Sequence, residues 1–398
     1  MRTSERDFEV EIVSWLTAHG GYSEGVDRSF DPVSGLDKSE LFEFLATSQR
    51  RSWDRLQELH GGDSARARAA FLQRLVSELD RRGTIDVLRN GVIDHSIHIR
   101  LAYFRPAHSL TPDVAQLYAA NRLTVTRQLQ FEATSNGRLD LALFVNGLPV
   151  ATAELKNPLT GQTVEDAKNQ YRTDRNPINT ILGRRAVVHF AMDTEQVAMT
   201  TKLAGQQTRF LPFNKGNGGG AGNPINPFGH RTAYMWEQVW RRDPWLDLLQ
   251  RYIHVDRDGK THTRDGVVIF PRHHQWDAVQ RIEEAVRRDG FGRDYLIQHS
   301  AGSGKSNTIA WLSHRLANMH DAADEPFFDK IVVITDRRVL DAQLQDTIYQ
   351  FDHAHGVVEK IDEDSTQLAE ALAGKQAQII ITTLQKFPVV LRQGLRLP

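Results

Sequence analysis

The sequence predicts an α/β protein with two domains, at residues 1–260 and 261–398. The first is predicted as α+β, because segments of helical periodicity precede a meander of strands that ends in a hairpin at residues 139–156. The second is predicted as a parallel α/β domain, because short apolar runs alternate with helices from residue 268 onward. A stretch rich in glycine, asparagine and proline, residues 205–230, is predicted to be a flexible loop or linker.

Composition places the chain among ordinary globular proteins. Of its 398 residues, 40% are hydrophobic and 25% are charged, and the formal net charge is −1. A nucleic-acid-binding protein of this balance needs local basic grooves, because its surface is not basic throughout. The sequence contains no cysteine, which excludes disulfides and thiolate metal sites. No apolar run approaches the ~18 residues of a membrane span, so we expect a cytoplasmic protein without membrane contact.

Hydrophobic periodicity predicts the elements of the first domain in order. Helices are expected at residues 6–18, 38–59, 64–79, 163–172 and 233–253, and strands at 84–103, 123–131 and 186–192, besides the hairpin. Thr163, with Asp166 three residues later, has the pattern of a capping box at the start of its helix. The tryptophans of the last helix are expected to serve in domain packing.

The loop length of the hairpin decides which of its residues face each other. A two-residue loop at Asn146-Gly147 sets Asp140 opposite Ala153, whereas a loop that also includes Leu148 sets Asp140 opposite Glu154. We expect the three-residue loop, with Gly147 in its left-handed position. The two facing carboxylates would repel each other, and a divalent cation between them removes that repulsion.

The hairpin carries Asp140, Glu154 and Lys156 in the pattern D-x13-E-x-K, which resembles the catalytic core of the PD-(D/E)xK nucleases. The resemblance implies that Asp140 and Glu154 hold Mg²⁺ and that Lys156 positions or activates the attacking water. In these nucleases a glutamate of the first helix often helps to hold the metal. Glu11 or Glu9 is the corresponding residue here.

The helix that follows the hairpin carries part of a further nuclease motif. Many nucleases of this branch have a glutamine followed four residues later by a tyrosine, and Gln170 fits the first position. Asp174 stands where the tyrosine is expected, so the motif is half met, and Tyr171 is one step away. The resemblance implies that Gln170 orients DNA or the lysine.

The second domain contains a phosphate loop in its expected setting between a strand, residues 295–298, and a helix. Backbone N–H groups of such a loop approach phosphates, and the helix N-terminus adds partial positive charge. Lys305 would reach the β- and γ-phosphates of ATP, and Ser306 would ligate the nucleotide's Mg²⁺. His299 replaces the first glycine of the strict pattern, a departure that superfamily-two helicases tolerate. The predicted loop residues are Gly302, Ser303, Gly304, Lys305 and Ser306.

Neighbouring motifs resemble those of superfamily-two helicases. Gln275 resembles the glutamine that reads adenine upstream of a helicase phosphate loop. Downstream, apolar strands at 330–334 and 379–383 are followed by polar segments, which resemble motifs that grip a nucleic-acid backbone. Arg337, Thr383 and Lys386 are the predicted DNA contacts.

Taken in order, the D…ELK nuclease pattern, FLPFNKG, RHHQ, SAGSGKS, ITDRRVLDAQL and TTLQKF resemble the motor-endonuclease (HsdR, or R) subunit of type I restriction enzymes. The resemblance covers nearly the whole sequence. It implies a PD-(D/E)xK-type nuclease domain followed by the first RecA-like lobe of a superfamily-two motor. The chain stops before the DEAH-like motif, so we expect an N-terminal fragment in which ATP hydrolysis is incomplete.

The resemblance also implies an activity and partners. These are Mg²⁺-dependent cleavage of double-stranded DNA coupled to ATP-driven translocation, together with methyltransferase (M) and specificity (S) subunits. A stand-alone helicase–nuclease of DNA repair shares both sites and is one alternative. A non-catalytic docking fragment is the other, although the intact Asp140, Glu154, Lys156 and Lys305 argue against degeneration.

Overall fold

The structure is a computed structural model that describes residues 4–106, 112–132, 137–256, 266–321, 323–335, 344, 347–348, 358–361, 365–374 and 377–388. The chain divides into two compact units, with the main boundary between Arg272 and His273. The domain boundary predicted at residues 260 and 261 lies outside the described residues. Together, the helices and sheets make an α/β protein, as the sequence predicts.

The first unit contains helices and strands in a mixed order. Its helices are α1 (Glu5–Trp15), α2 (Lys38–Ser48), α3 (Arg50–Leu59), α4 (Ser64–Arg82), α5 (Thr84–Asn90), α6 (Pro112–Ala119), α7 (Val164–Thr173) and α8 (Arg242–Asp247). Its strands are β1 (Ser23–Glu24), β2 (Phe30–Asp31), β3 (Leu36–Asp37), β4 (Val92–Asp94), β5 (Ile97–Ile99), β6 (Leu123–Gln130), β7 (Arg138–Val145), β8 (Leu148–Leu155), β9 (Val188–Met192), β10 (Val197–Thr200), β11 (Leu211–Pro212), β12 (His254–Asp256) and β13 (Val267–Ile269).

A mixed sheet of seven strands, in the order β1-β6-β7-β8-β9-β10-β11, forms the centre of this unit. Strand β8 is antiparallel to β7 and parallel to β9, and α7 makes the connection between β8 and β9. Every residue of β8 is buried, which is typical of a strand covered on both faces. One of the apolar clusters on this sheet includes Phe144, Tyr171 and Ile181. The sheet therefore provides a rigid platform at its central strands.

Local sequence signals fix several helix starts. Ser4 and Asp7 form a reciprocal capping box at the start of α1, and Thr163 and Asp166 form the predicted one at the start of α7. The Asp63 carboxylate accepts hydrogen bonds from the first backbone N–H groups of α4. These caps place α1 and α7, the two helices that flank the functional residues described below.

The prediction of a strand at residues 84–103 is wrong for residues 84–90. Residues 84–90 form α5, which buries Ile85, Val87 and Leu88, and only β4 and β5 follow as a short hairpin. The β-branched residues of this segment favour a strand locally, but the packing of a buried helical face outweighs that preference.

The helix predicted at residues 38–59 is interrupted at Gln49, which separates α2 from α3. The side-chain amide of Gln49 donates to the carbonyl of Arg100 at 2.7 Å and accepts from its N–H at 3.0 Å. These two bonds tie the break to the strand region more than fifty residues away in sequence. A bond of that range leaves no periodic signal in the sequence.

The segment predicted as one helix at residues 233–253 is also broken. Two wider helical turns, Met235–Val239 and Leu248–Tyr252, flank α8, and Arg241 adopts an extended conformation between them. Trp236, Trp240 and Trp245 are almost completely buried, so their predicted role in packing is confirmed.

The segment at residues 205–230 is not a free linker. Its strand β11 pairs with β10, and the ring of Phe213 is completely buried. The side chain of Asn223 donates to the carbonyl of Glu195 at 2.8 Å and accepts from the N–H of Lys215. The segment is therefore fastened to the sheet edge of the first unit.

The second unit contains α9 (His273–Asp289), α10 (Lys305–Ala317), α11 (Ser365–Ala373), β14 (Ile331–Thr335), β15 (Val358–Lys360) and β16 (Ile379–Thr383). The three strands form a parallel sheet in the order β14-β16-β15. Residues 295–298, predicted as a strand, are not in a strand, and Leu296 is 91% exposed. A strand needs neighbours for its backbone groups, and none of the described strands pairs with this run.

None of the helices among the described residues is both long and apolar enough to cross a membrane.

Candidate functional site

The hairpin of β7 and β8 closes with a two-residue turn, so the predicted three-residue loop is wrong. Val145 pairs with Leu148, and both Asn146 and Gly147 have positive φ angles, 52° and 80°. A Cβ atom at Gly147 would lie 2.3 Å from the carbonyl oxygen of Asp37. Only glycine fits this close approach of the turn to the chain before α2.

A β-bulge nevertheless gives the register that the longer loop was expected to give. Phe144 pairs with Pro149, but Leu143 pairs with Ala151, which leaves Val150 as the extra residue of β8. The carbonyl of Val150 instead accepts a hydrogen bond from Val187 at 3.0 Å. Beyond the bulge, the register shifts by one residue.

The shifted register brings the two acidic residues of the hairpin together. Leu141 pairs with Ala153, so the next positions along the ladder are Asp140 and Glu154. Asp140 is 5% exposed and Glu154 is completely buried. One Asp140 oxygen, Oδ2, accepts a hydrogen bond from the N–H of Leu155 at 2.8 Å. The carboxylates therefore lie inside the protein, held by the strands that carry them.

A glutamate of α1 joins this pair, and it is Glu9. Carboxylate oxygens of Glu5, Glu9 and Asp140 lie within 4.8 Å of one another. Glu9 is 4% exposed. Glu11, which was singled out as a metal ligand, points elsewhere: its carboxylate is 46% exposed and lies 3.2 Å from Nε2 of His230. Helical periodicity separates the two, because residues two apart on a helix do not share a face.

Gln128 of β6 holds two of these carboxylates, a contact that sequence reasoning missed. Its amide Nε2 donates to Glu9 Oε1 at 2.8 Å and to Asp140 Oδ1 at 3.2 Å. The backbone at Gln128 has a φ of 48°, which is rare for a residue other than glycine and costs about 1–3 kcal/mol. The strained conformation directs the amide into the carboxylate cluster.

Arg175, which follows α7, is the second residue that sequence reasoning missed. Its Nε donates to Glu154 Oε1 at 2.6 Å, and its terminal nitrogen donates to the carbonyl of Arg138 at 2.7 Å. Its side chain is 6% exposed, and the guanidinium lies over the ring of Phe131. The ion pair is thus shielded from water on both sides.

The electrostatics of the cluster show an excess of negative charge. Burial raises the pKa of Glu9 to about 7, and the nearby Asp140 carboxylate adds to this effect against the hydrogen bond from Gln128. Complete burial raises the pKa of Glu154 well above its usual range, with Asp140 again adding and Arg175 opposing. The cations present do not fully compensate the carboxylates.

Lys156, one residue beyond the end of β8, lies at the edge of the cluster. Its ammonium Nζ donates to Glu5 Oε1 at 2.9 Å, and the side chain is 9% exposed. Its backbone N–H bonds the carbonyl of Met192 on β9. Glu5 thus connects the lysine to the carboxylate cluster of Glu9 and Asp140.

The residues of the half-met motif on α7 have different environments. Gln170 is partly exposed, and its side-chain oxygen is buried without a hydrogen-bond partner. Asp174 accepts a hydrogen bond from the hydroxyl of Thr173 at the end of the helix. The hydroxyl of Tyr171 lies 2.7 Å from that of Thr152 on β8 and is buried in the core. Tyr171 therefore packs against the sheet.

A cleft of about 860 Å³ opens beside the cluster and connects it to solvent. Glu5, Glu9 and Gln128 line it together with two cations, Arg6 and Arg127, and two further acids, Glu24 and Asp27. Arg127 also forms an exposed ion pair with Glu24 at 3.2 Å. The cleft thus places two arginines next to the carboxylates, and acidic residues outnumber basic ones in its lining.

A divalent metal ion fits these residues. Carboxylate oxygens are the ligands that Mg²⁺ prefers, and Glu9 and Asp140 offer them within a short distance of Glu5. One oxygen of Glu154, Oε2, is buried without a hydrogen-bond partner. The neighbouring Asp140 carboxylate, when ionised, cannot donate a hydrogen bond to this oxygen. A cation bound there would compensate the unpaired Glu154 oxygen.

In the second unit, the segment predicted to be a phosphate loop leads into α10. Gly302 and Gly304 have φ angles of 71° and 83°, which the loop needs. A Cβ at Gly304 would lie 2.4 Å from Nε2 of Gln275. That amide donates to the carbonyls of Ser303 and Gly304, at 3.2 and 2.9 Å. Gln275 therefore supports the loop backbone here.

Lys305 is exposed and folds back on the loop. Its Nζ donates to the carbonyls of His299 at 3.2 Å and Ser300 at 2.9 Å. The hydroxyl of Ser303 also bonds the Ser300 carbonyl, at 2.8 Å, and Ser306 lies partly exposed in the first turn of α10. The loop is thus closed on itself by bonds that an anionic ligand would replace.

Of the predicted DNA contacts, Arg337 lies outside the described residues. Thr383, at the end of β16, is 5% exposed. The ammonium of Lys386 donates to the carbonyl of Ile361. In this conformation neither described side chain is free to meet a phosphate without rearrangement.

Two family models match the chain. Residues 98–208 match the type I restriction enzyme R protein N terminus, and residues 274–394 match the SWI2/SNF2 ATPase. The first match includes the β7–β8 hairpin with Asp140 and Glu154, and the second includes the phosphate loop.

Curated relatives agree with both matches. The chain is 24% identical to the type I restriction enzyme SsaAORF53P endonuclease subunit of Staphylococcus saprophyticus over 96% of its own length and 37% of that protein. It is 26% identical to the SauCOLORF180P endonuclease subunit of Staphylococcus aureus over 68% of its length and 26% of that protein. It is 27% identical to the HindI endonuclease subunit of Haemophilus influenzae over 67% of its length and 25% of that protein.

The chain therefore spans little more than a third, at most, of the length of these relatives. The two family matches follow the same order as the nuclease pattern and the phosphate loop along the sequence. Over most of its length, the chain is therefore similar to the endonuclease (R) subunits of type I restriction enzymes.

Proposed function

We propose that this chain is the nuclease and ATP-binding part of a cytoplasmic R subunit of a type I restriction enzyme. It cuts double-stranded DNA with Mg²⁺ in a PD-(D/E)xK-type first unit. Its second unit is a RecA-like lobe that binds ATP for translocation along DNA. The observation that carries the proposal is the convergence of buried carboxylates from α1 and the β7–β8 hairpin beside a cleft that contains arginines.

Asp140, Glu154 and Glu9 are the proposed holders of Mg²⁺. A bound Mg²⁺ supplies a water of lowered pKa and stabilises negative charge on the scissile phosphate. The protein's part is to hold the carboxylates ready: Gln128 orients Glu9 and Asp140, and Arg175 fixes Glu154. Such preorganised charges cost no rearrangement when the reaction occurs.

Lys156 is the proposed catalytic lysine. Its ammonium donates to Glu5 at the edge of the cluster, and Glu5 is partly exposed towards the cleft. When a phosphate enters, the lysine would exchange this bond for one to a phosphate oxygen and would hold the attacking water in position. Gln170, on α7, would then orient the DNA strand or the lysine through its unpartnered oxygen.

The cleft is the proposed path of the DNA backbone. Arg6 and Arg127 line it next to Glu5 and Glu9. The pair between Arg127 and Glu24 is exposed, and such pairs contribute at most ~1 kcal/mol, so Arg127 is released to a phosphate at low cost. Thr383, Lys386 and Arg337 are proposed to contact DNA along the second unit.

The phosphate loop is the proposed ATP site. Backbone N–H groups of Gly302, Ser303 and Gly304 would receive the phosphates, Lys305 would leave its two loop carbonyls for them, and Ser306 would ligate the nucleotide's Mg²⁺. Gln275 would exchange its bonds to the loop for the adenine. Nucleotide binding therefore changes the conformation of both side chains.

Methyltransferase and specificity subunits are the proposed partners, and DNA sequence recognition would belong to them. The stand-alone helicase–nuclease is less well supported, because the relatives named above are restriction endonuclease subunits. Co-purification with methyltransferase and specificity subunits distinguishes the two functions. A docking fragment without catalysis would keep such partners but cut no DNA.

Mg²⁺-dependent nicking of supercoiled plasmid tests the nuclease. Asp140→Asn removes one charge at nearly constant volume and is expected to lower the nicking rate at least ~100-fold, the effect of losing one preorganised electrostatic group. Glu11→Gln is the matched control, because Glu11 lies outside the cluster beside His230. Nicking by Asp140→Asn at the rate of the control would contradict the proposed site.

A further inference from the structure

A second cluster of metal-ligand residues lies in the first unit, apart from the carboxylates described above. It consists of His60, at the C-terminal end of α3, and of Asp94 and His95, at the end of β4 and in the turn of the β4–β5 hairpin. The chain reverses after His60 through Gly61 and Gly62, so the imidazole lies at the end of its helix. Two elements distant in sequence thus meet through these side chains.

The geometry of the cluster is compact. One nitrogen of each imidazole and one oxygen of Asp94 lie within 4.8 Å of one another. Nε2 of His60 is 3.8 Å from Asp94 Oδ2, and Nδ1 of His95 is 2.8 Å from Asp94 Oδ1. The two imidazole rings are perpendicular, with their centres 4.9 Å apart. Each ring therefore directs a nitrogen towards the same carboxylate.

Two atoms of the cluster are buried without a hydrogen-bond partner. They are Nε2 of His60 and Oδ2 of Asp94. Asp94 is 8% exposed. Buried polar atoms in native proteins are nearly always paired, so two unpaired atoms that face each other at 3.8 Å call for an explanation. At that separation they are too far apart to bond each other and close enough to share a third atom.

We propose that His60, Asp94 and His95 bind a divalent transition-metal ion, of which Zn²⁺ is the best match. Two imidazoles and one carboxylate are a common ligand set for Zn²⁺, whereas Mg²⁺ prefers oxygen ligands alone. Zn²⁺ binds such ligands at about 2.0–2.2 Å. The ion would satisfy both unpaired atoms at once.

The fourth coordination position would face solvent. The side chain of His95 is 53% exposed, whereas those of His60 and Asp94 are 14% and 10% exposed. The ion would therefore be held from inside by two ligands and covered at the surface by His95. It would join the end of α3 to the β4–β5 hairpin, and it would act separately from the proposed nuclease.

Zn²⁺ binding by the zinc-free chain is the first test. The experiment uses the 398-residue chain carrying Asp140→Asn, with Mg²⁺ in excess, so that Zn²⁺ does not report on the carboxylate cluster. Isothermal titration is expected to show one high-affinity Zn²⁺ site, and Zn²⁺ is expected to raise the Tm. Co²⁺ in place of Zn²⁺ would report nitrogen ligands through its visible absorption.

Three variants decide the location of the site. His95→Ala and His60→Ala are each expected to weaken Zn²⁺ binding at least tenfold and to abolish the rise in Tm. His95 is exposed, so its replacement leaves the core of the fold intact. His98→Ala is the matched control: this exposed histidine of the same hairpin bonds the carbonyl of Asn90 at 2.7 Å and lies outside the cluster.

The proposal is overturned if the parent chain binds no Zn²⁺ or if His95→Ala binds it as tightly as His98→Ala. It is supported if the loss of affinity follows His60 and His95 but not His98. An independent check is the Co²⁺ spectrum, which should lose intensity in His95→Ala even where that variant keeps the Tm of the metal-free parent.

Discussion

The two candidate sites of this chain are built in opposite ways. In the first unit, Glu9, Asp140, Glu154 and Lys156 are each less than 10% exposed and are fixed by strands, a helix and buried partners. In the second, Lys305 is exposed, and among the described residues its ammonium bonds only the carbonyls of its own loop. One site is prepared before any ligand arrives, and the other has to exchange its internal bonds for those to a ligand.

This difference indicates that the first site, and not the second, lowers the stability of the folded chain. Burying several charges is unfavourable unless partners compensate them. In the carboxylate cluster, the partners are the amide of Gln128, whose backbone is strained, and Arg175, which forms a buried ion pair with Glu154. The phosphate loop needs only glycines that reach positive φ angles. Substitutions in the first site should therefore affect folding and function together, and substitutions in the second should affect function alone.

The largest expected effect is that of Arg175→Ala on stability. It leaves Glu154 buried without its cation, and breaking a buried pair in this way costs about 3–5 kcal/mol of the free energy of unfolding. Urea unfolding, followed by tryptophan fluorescence, measures the loss. Arg184→Ala is the matched control, because its guanidinium is 50% exposed and 3.8 Å from Asp80, a pair with an expected contribution of at most ~1 kcal/mol. Equal losses in both variants would remove the contrast between the sites.

Lys156→Ala should affect the chemistry almost as strongly. Losing a preorganised charge at the reacting phosphate is expected to reduce plasmid cleavage by about 10²–10³-fold, or about 2.7–4 kcal/mol, with nucleotide binding unchanged. Lys168→Ala provides the comparison, since Lys168 pairs with Glu165 on α7. Cleavage by Lys156→Ala near the rate of Lys168→Ala would mean that this lysine is structural.

The pH dependence of stability should single out Glu9. Its pKa in the folded chain, about 7, exceeds the usual value of 4.5, so the native state retains a proton that the unfolded chain loses between these pH values. Without metal, this group therefore makes folding less favourable as the pH rises from about 4.5 to about 7, by at most ~1.4 kcal/mol per pH unit.

The difference in unfolding free energy between wild type and Glu9→Gln, measured across that range, isolates the effect. The glutamine does not titrate, so the difference should change with pH. Mg²⁺ should bind more tightly to the wild type as the pH rises towards 7, because metal binding displaces the proton. A difference that is constant with pH would place the Glu9 carboxylate in a less buried, less crowded position.

The smallest expected effect is that of Lys305→Ala on stability. The side chain is exposed, so the free energy of unfolding should change by no more than ~0.5 kcal/mol, while ATP affinity falls at least tenfold. A fluorescent ATP analogue measures the affinity, and urea unfolding measures the stability. A large loss of stability would show that the loop contributes to folding, contrary to the comparison between the sites.

The sequence predicted the elements with strong local signals. The hairpin carries Asn146-Gly147 between apolar runs, Thr163 and Asp166 cap their helix, and the tryptophans of 233–253 are buried as expected. Errors occurred where distant contacts override local preference. Gln49 ends α2 because its amide finds the backbone of Arg100, which no periodicity reveals.

The sequence analysis missed Gln128 and Arg175, the partners of the carboxylates, for the same reason. Each nevertheless has a weak signal in the sequence. The apolar alternation of Leu123, Val125 and Leu129 skips Arg127, which marks an irregular strand next to Gln128. Buried acids also demand a cation beyond Lys156, and Arg175 follows the neighbouring helix. Neither signal identifies the hydrogen bonds to the carboxylates, because these contacts depend on how the strands and the helix assemble.

The bulge at Val150 has a consequence for how such hairpins change during evolution. The two-residue turn alone would set Asp140 opposite Ala153. The extra residue of the bulge shifts the register by one, so that Asp140 lies opposite Glu154. An insertion near the turn can therefore be cancelled by a deletion at the bulge. The spacing of thirteen residues between Asp140 and Glu154 is then kept, as long as Gly147 still closes the turn and the strand residues still fill the core.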